Sequence, residues 1–205
     1  EGYETAQFID GTLVSNPFYS SVKGIAARGR FSPFIFKGTV FSTGGFSALY
    51  GGALSSALIL ESIDFPERST VGLSISPIFV GANTQQVNNK KDISYGFGYT
   101  YVNIFLYNKL IKQRQEYFQN PVIHEGDANL RWKINEKGII KYYTNFSNSN
   151  FGLRRPDIDS LNTKESIGIK NNYTYHNLSL RQFIGNNLKL DAGIGYNFNK
   201  DQIAH

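Results

Sequence analysis

Few side chains in this 205-residue sequence have the type and spacing that chemistry needs. There is no cysteine, which excludes a thiolate nucleophile, a thiolate metal site and a disulfide framework. The three histidines, His124, His176 and His205, stand far apart and lack the short spacing of a metal site. His124 falls beside Glu125 and Asp127 in a stretch expected to be an outer loop, where solvated polarity accounts for it. Asp10, Asp64, Asp157, Asp159 and Asp191 form no carboxylate couple. Asp157 and Asp159 sit beside Arg154–Arg155, so ion pairing is their simpler role. Ser15, Ser47 and Ser55 lack the Gly-x-Ser-x-Gly elbow of a nucleophilic serine. Thr43-Gly44-Gly45 and Gly51–Gly52 are glycine-rich without the Lys-Ser/Thr of a phosphate loop. The residues argue against an enzyme, a cofactor or a metal, and leave recognition and transport as the chemistry to explain.

The elements that must position these groups are written in alternation. Leu188, Leu190, Ala192, Ile194, Tyr196 and Phe198 interleave with Lys189, Asp191, Gly193, Gly195, Asn197 and Asn199. Ala128, Leu130, Trp132 and Ile134 alternate with Asn129, Arg131, Lys133 and Asn135, and Ile93, Tyr95, Phe97, Tyr99 and Tyr101 with Ser94, Gly96, Gly98, Thr100 and Val102. Segments of roughly ten residues with this period, rich in aromatics and separated by turns, are the pattern of a transmembrane β-barrel wall. No stretch approaches the roughly 18 apolar residues of a membrane helix. The formal net charge of +5 is scattered rather than gathered on one face, which argues against nucleic acid as a partner. It leaves contact with anionic lipid headgroups at the membrane rim as a minor role. The sequence has no methionine and opens without a basic-then-apolar leader, so it reads as a piece of a longer protein.

Composition changes near Pro66. Residues 1–65, rich in Gly, Ser, Phe and Ala, are expected to form a compact mixed α/β unit, and residues 70–205 a series of antiparallel strands, with the boundary at Phe65–Ser69. Strands are expected near 93–107, 128–135, 139–151, 167–183 and 188–199. The turns Asn135–Gly138 and Gly185–Asn187 are short, whereas 108–127 and 152–166 read as long charged loops. Outer-membrane barrels keep short turns in the periplasm and long loops outside, which points 108–127 and 152–166 outward. Residues 70–88 must then rise and return, turning at Pro77 or Gly81, as a stubby first hairpin, or else the orientation is the inverse. The apolar set should face lipid. Tyr95, Phe97, Tyr99, Tyr101, Tyr142, Phe146, Tyr173, Tyr175, Tyr196 and Phe198 fit aromatic girdles. Arg131, Lys133, Lys141, Lys189 and Asp191 should face the lumen, and the small set Ser94, Gly96, Gly98 and Thr100 suits either a packed plug or local curvature.

Phe41–Ser56 reads FSTGGFSALYGGALSS and is followed by Ala57-Leu58-Ile59-Leu60. This run resembles the end of the plug domain of TonB-dependent outer-membrane receptors, with Phe46, Ser47, Ala48, Tyr50, Gly51 and Gly52 matching the aromatic-Ser-Ala-x-Tyr-Gly element. Phe8-Ile9-Asp10-Gly11 is similar to an upstream plug strand and turn, and Arg28-Gly29-Arg30-Phe31-Ser32-Pro33 to the stretch between. The family often has a Gly-Val-Val-Asn type of final plug strand where this chain has Ser56–Glu61. The resemblance implies residues 1–65 as the C-terminal part of a plug and 70–205 as the first strands of a barrel that has 22 strands in the family. It implies the outer membrane of a Gram-negative bacterium as the location, and energised uptake of a scarce nutrient (siderophore, cobalamin, glycan or peptide). The implied partners are outer-membrane lipid and lipopolysaccharide, that small nutrient ligand, and the TonB complex through a segment this sequence lacks. Arg114, Tyr117, Phe118, Arg154 and Arg155 are the expected outer-face ligand contacts. Two other readings compete: an outer-membrane porin or adhesin barrel without a plug, and a soluble all-β binding protein.

Overall fold

The structure is a computed structural model that describes residues 5–22, 28–31, 35–45, 47, 50, 51, 55–113, 115–156, 163–185 and 187–204. The chain is mainly β, a mixed sheet followed by an antiparallel one.

The first sheet begins with the hairpin of β1 (Thr5–Ile9) and β2 (Thr12–Val14). Asp10 and Gly11, at φ 47° and 83°, close it in the two-residue turn for which Asp-Gly is suited. β3 (Phe36–Ser42) and β4 (Ser56–Ser62) complete the order β2-β1-β4-β3. β4 runs parallel to β1 and antiparallel to β3. The mixed α/β unit expected over 1–65 is thus a mixed sheet, and its described residues contain no α-helix.

The second sheet is a seven-stranded antiparallel meander: β5 (Thr70–Ile75), β6 (Phe79–Val87), β7 (Ile93–Asn103), β8 (Glu116–Asn135), β9 (Gly138–Pro156), β10 (Lys164–Ile184) and β11 (Leu188–Ala204). Each strand pairs with its chain neighbours, and β5 and β11 leave the sheet open at its edges. β5 and β6 are the short first hairpin, turning over Ser76–Ile78 at Pro77 rather than at Gly81. A short helix, α1 (Phe105–Leu110), follows β7.

Register makes two unlike faces. Arg131 lies opposite Lys141, Lys141 opposite Ser179 and Ser179 opposite Gly193, so one polar face crosses four strands unbroken. The mixed sheet covers that face. Ser94, Arg131, Lys141, Asn145, Ser147, Ser149, Asn171, Asn177 and Ser179 are buried there. The opposite face exposes Val71, Leu73, Tyr95, Phe97, Leu130, Trp132, Ile194, Tyr196 and Phe198. On it, the ring of Phe146 lies over Gly126 and that of Phe118 over Gly152, each aromatic filling the gap a neighbouring glycine leaves.

Several expectations need correction. Tyr173 and Tyr175 are each 1% exposed and face the mixed sheet, not a girdle. β10 carries aromatic or aliphatic residues on both faces, so alternation alone did not say which set turns inward. Residues 116–127 and 152–156 are strand rather than loop, because β8, β9 and β10 run to 20, 19 and 21 residues. His124 therefore lies on β8, on the outward face, with its Nδ1 2.6 Å from the Tyr99 hydroxyl. The small set of β7 makes room for wall side chains: Gly96 faces Gln85 and Asn129, and Gly98 faces Asp127. The wall glycines that receive the mixed sheet are Gly193 and Gly195, against Thr12 and Leu13.

Candidate functional site

The functional residues gather between the sheets in two clusters. The first is ionic and lies toward the end of the wall that carries the short turns. The β1–β2 turn presents Asp10, and the connection after β4 presents Asp64. Lys141 of β9 reaches both, with Nζ 2.6 Å from Asp64 and 3.7 Å from Asp10. The same ammonium donates to the carbonyl and hydroxyl of Ser62 at 3.0 and 3.2 Å. Ser62 in turn donates its backbone N–H to Asp10 at 2.9 Å. Arg181 of β10 approaches Asp64 at 3.1 Å, and Lys37 of β3 donates to its other oxygen at 2.7 Å. Arg131 of β8 donates to the Ile63 carbonyl at 2.8 Å, and Lys133 stands over the Phe65 ring.

Three cations on one carboxylate set its titration. Burial alone raises the Asp64 carboxyl, but hydrogen bonds from Lys141 and Lys37 and the charges of Lys141 and Arg181 outweigh it. Together they hold the group well below the usual carboxylate range. Burial acts against Lys37 as well, and its hydrogen bond to Asp64 nonetheless pushes it up. Breaking such a network from one side leaves the partner charge desolvated and unmatched.

The second cluster centres on Arg30, which is 1% exposed. Its Nε donates to the carbonyls of Phe18 and Asn16 at 2.9 and 3.1 Å, which fixes the side chain to its own unit. The guanidinium then lies 4.0 Å from the Tyr173 ring and 4.7 Å from the Tyr19 ring, and Nη1 donates to Ser147 at 2.9 Å. A planar, delocalised cation between two aromatic faces is a role that lysine does not fill. Burial pulls the guanidinium below its ordinary value.

Between the clusters Asn177 of β10 donates to the Ile9 carbonyl at 3.2 Å and to Thr12. Ile9, Val14 and Leu60 pack on Tyr143, Tyr173 and Tyr175 as the apolar part of the contact. A cavity of about 280 Å³ remains, with Asp10, Thr12 and Tyr50 on one side and Arg181, Lys189 and Asp191 on the other. Among the described residues no group of three or more His, Asp or Glu is placed to hold a metal. What the interface shows is docking of one sheet on the other, through ion pairs, hydrogen bonds and a small apolar contact.

The polar residues expected to point inward lie on the covered face of the antiparallel sheet. Arg131, Lys133 and Lys141 meet the mixed sheet, and Lys189 pairs with Asp191 at 2.7 Å beside the cavity. Of the plug motif, the Tyr50 ring meets Phe8 edge-on at 5.0 Å, the Tyr50 N–H bonds to the Ser47 carbonyl, and Gly51 lies in the same turn. Phe46, Ala48 and Gly52 lie outside the described residues, as do Arg114, Asp157 and Asp159. Tyr117, Phe118, Arg154 and Arg155 are on strands. Arg154 pairs with Glu116 at 3.4 Å, and Arg155 with Glu165 at 2.8 Å. The aspartates that discouraged a catalytic reading, Asp10 and Asp64, prove to be the docking carboxylates, and Arg30 carried no signal beyond its place in the Arg-Gly-Arg stretch.

No family model matches the chain, and no curated protein does. Among solved structures it is similar to the siderophore receptor PirA from Acinetobacter baumannii, at 11% identity and a TM-score of 0.40, over 98% of this chain and 41% of that one. It is also similar to a mutant of the ferric enterobactin receptor PfeA from Pseudomonas aeruginosa in complex with enterobactin, at 9% identity and 0.42, over 98% and 42%. The chain spans about two fifths of the length of these receptors. Likeness at this level carries no argument about function.

Proposed function

We propose that this chain is part of a TonB-dependent outer-membrane receptor, residues 1–65 belonging to its plug and 70–205 to the opening strands of its barrel. The observation that carries the reading is the inversion of the wall. A water-soluble β-sandwich buries its apolar faces against each other. Here the covered face holds Arg131, Lys141 and a file of Asn and Ser, while the open face is largely aliphatic and aromatic over seven strands. An exposed apolar surface of that extent belongs in lipid. The open edges at β5 and β11 support closure by further strands, since unpaired ladder groups are not tolerated in hydrocarbon.

In this reading the ionic network and the Arg30 cluster seat the plug in the lumen. They do so by polar contacts that water can replace when the plug shifts. A small nutrient ligand binds at the outer end, where Tyr117, Phe118, Arg154 and Arg155 lie. The TonB complex acts on the plug from the periplasm. Envelope fractionation with surface proteolysis tests this. Recovery in the outer membrane, with cleavage between α1 and β8 in intact cells, supports barrel and orientation together. Outer-membrane recovery with that segment protected inverts the orientation. A freely soluble protein overturns the reading.

A further inference from the structure

α1 turns its apolar residues away from everything packed around it, and it buries none of them. Its root is on the lipid side of the wall. Asn103 donates to the hydroxyl of Tyr101, which shares a face with Tyr95, Phe97 and Tyr99, and the Phe105 N–H bonds to Asn103. Asn108 donates to Asn120 of β8 at 2.7 Å, which sets one side of the helix toward the protein. At about 100° per residue, Phe105, Leu106, Lys109 and Leu110 fall within an arc of about 140° that excludes Asn108. Leu110 is 80% exposed and Leu106 61%, and Phe105, Ile111, Lys109 and Lys112 are exposed with them.

Height decides what covers this arc. β7 has 11 residues. At about 3.3 Å each and a tilt of about 40°, it climbs roughly 28 Å, close to the ~25 Å apolar band of an outer-membrane wall. Ile93, opposite Trp132, marks one edge of the band, and α1 begins two residues past the other edge. β8 to β10 continue beyond that level, but α1 does not follow them. A protein covering this arc would also have to sit against the apolar wall directly below it.

We propose that α1 lies in the headgroup layer of the outer leaflet, its Phe105–Leu106–Leu110 arc in the acyl boundary and Lys109 and Lys112 on the phosphates of lipopolysaccharide. Short apolar segments flanked by lysine bind interfaces in this way, the lysine stem lying along the apolar surface and its ammonium reaching the phosphate. The inference rests on the outer-membrane reading, and its test separates the two.

The full-length receptor is reconstituted into vesicles carrying lipids brominated at shallow or deep acyl positions, with and without lipopolysaccharide. Trp132, the sole tryptophan of this chain, reports the wall once any tryptophan elsewhere in the receptor is replaced by Phe. Leu110→Trp in a Trp132→Phe background reports α1, and a nitroxide on Leu110→Cys, which this chain allows without further change and the rest of the receptor allows once any cysteine there is replaced by Ser, reports it with Trp132 in place. The expected result is a larger loss of emission with shallow than with deep bromine at position 110. Lipopolysaccharide should increase that loss, and Lys109→Glu with Lys112→Glu should abolish the increase. Quenching of Trp132 by bromolipid, with position 110 quenched only by aqueous iodide, overturns the proposal and leaves the barrel standing. Absence of lipid quenching at both positions overturns both. An unchanged lipopolysaccharide effect in the lysine variants overturns the phosphate contact.

Discussion

Asp64 and Lys141 stand 2.6 Å apart, one on the connection that leaves the mixed sheet, the other on the third long strand of the wall to follow it. The same carboxylate takes Arg181 and Lys37, so one side chain ties both sheets and the link between them. Asp64→Asn should weaken docking of the plug by about 1–3 kcal/mol, the lower end reflecting its partial exposure. Hydrogen exchange of β1 and β4 in the membrane-inserted protein measures this. Adding Lys141→Met should restore part of the loss, because the buried charge is then gone. No change in either variant removes Asp64 from the interface.

Acid should act late on this contact. The Asp64 carboxyl is held below its ordinary range, so the stabilisation it gives is complete above the unfolded-state carboxylate value. It is lost progressively as pH falls from that value, and is gone once pH has passed through the depressed folded value. Proteolytic susceptibility of the amino-terminal unit should stay flat from neutral pH down to the range in which free carboxylates titrate, then rise progressively in stronger acid. Asp64→Asn should lack that final step.

Arg30 separates charge from shape. Arg30→Lys keeps the cation and loses the fork and the flat face between Tyr19 and Tyr173. It should lose most of what Arg30→Met loses, on the order of 2–4 kcal/mol, because the donors to Phe18, Asn16 and Ser147 are not reproduced. Thermal unfolding in detergent would read the difference. A lysine variant as stable as the native protein would reduce the site to simple charge.

The outward face should refuse charge where the inward face accepts it. Phe97 is near the middle of β7, so Phe97→Arg should destabilise the inserted wall by about 2–4 kcal/mol. Ser74→Lys, on the inward face of β5 opposite Gly81, should leave membrane recovery unchanged. Equal recovery of both variants from the outer membrane would contradict the assignment of faces.

Close approach of the β1–β2 hairpin to β11 depends on Gly193. A Cβ there would come within 2.8 Å of the Thr12 methyl. Gly193→Ala should loosen the hairpin by about 1–3 kcal/mol through overpacking. Thr12→Ser, which removes that methyl and keeps the hydroxyl that bonds Ile9, should restore it in the double variant. Hydrogen exchange at β2 distinguishes the two outcomes.

The legible part of this fold is the part written in strict period two. Leu188–Asn199 and Ala128–Asn135 announce both strand and face, because every apolar residue there lies on one side. β10 does not, since Ile167, Tyr173 and Tyr175 compete with His176, Leu178 and Leu180 for the apolar side, and only the covering sheet decides. The upper halves of β8 and β9 were hidden for a related reason: Glu116, Arg154 and Arg155 read as loop charge until cross-strand partners neutralise them. The site was half visible. Lys141 and Arg131 follow from the polar face of their strands, but pairing with Asp10 and Asp64 is a tertiary fact across 131 and 77 positions of chain, taken as 141 minus 10 and 141 minus 64. No local pattern encodes it.

The two kinds of pairing in this chain also set an order of assembly. Each wall strand bonds to the strand made just before it, so the meander grows hairpin by hairpin. The contacts that seat the mixed sheet wait far longer: Asn177 meets the Ile9 carbonyl across 168 residues, and Arg181 meets Asp64 across 117. The amino-terminal unit is therefore synthesised first and docked last. Its contact surface sets Asp10, Arg30 and Ser62 beside the small apolar set of Ile9, Val14 and Leu60, so it stays compatible with water during that wait, before the sheet that receives it exists.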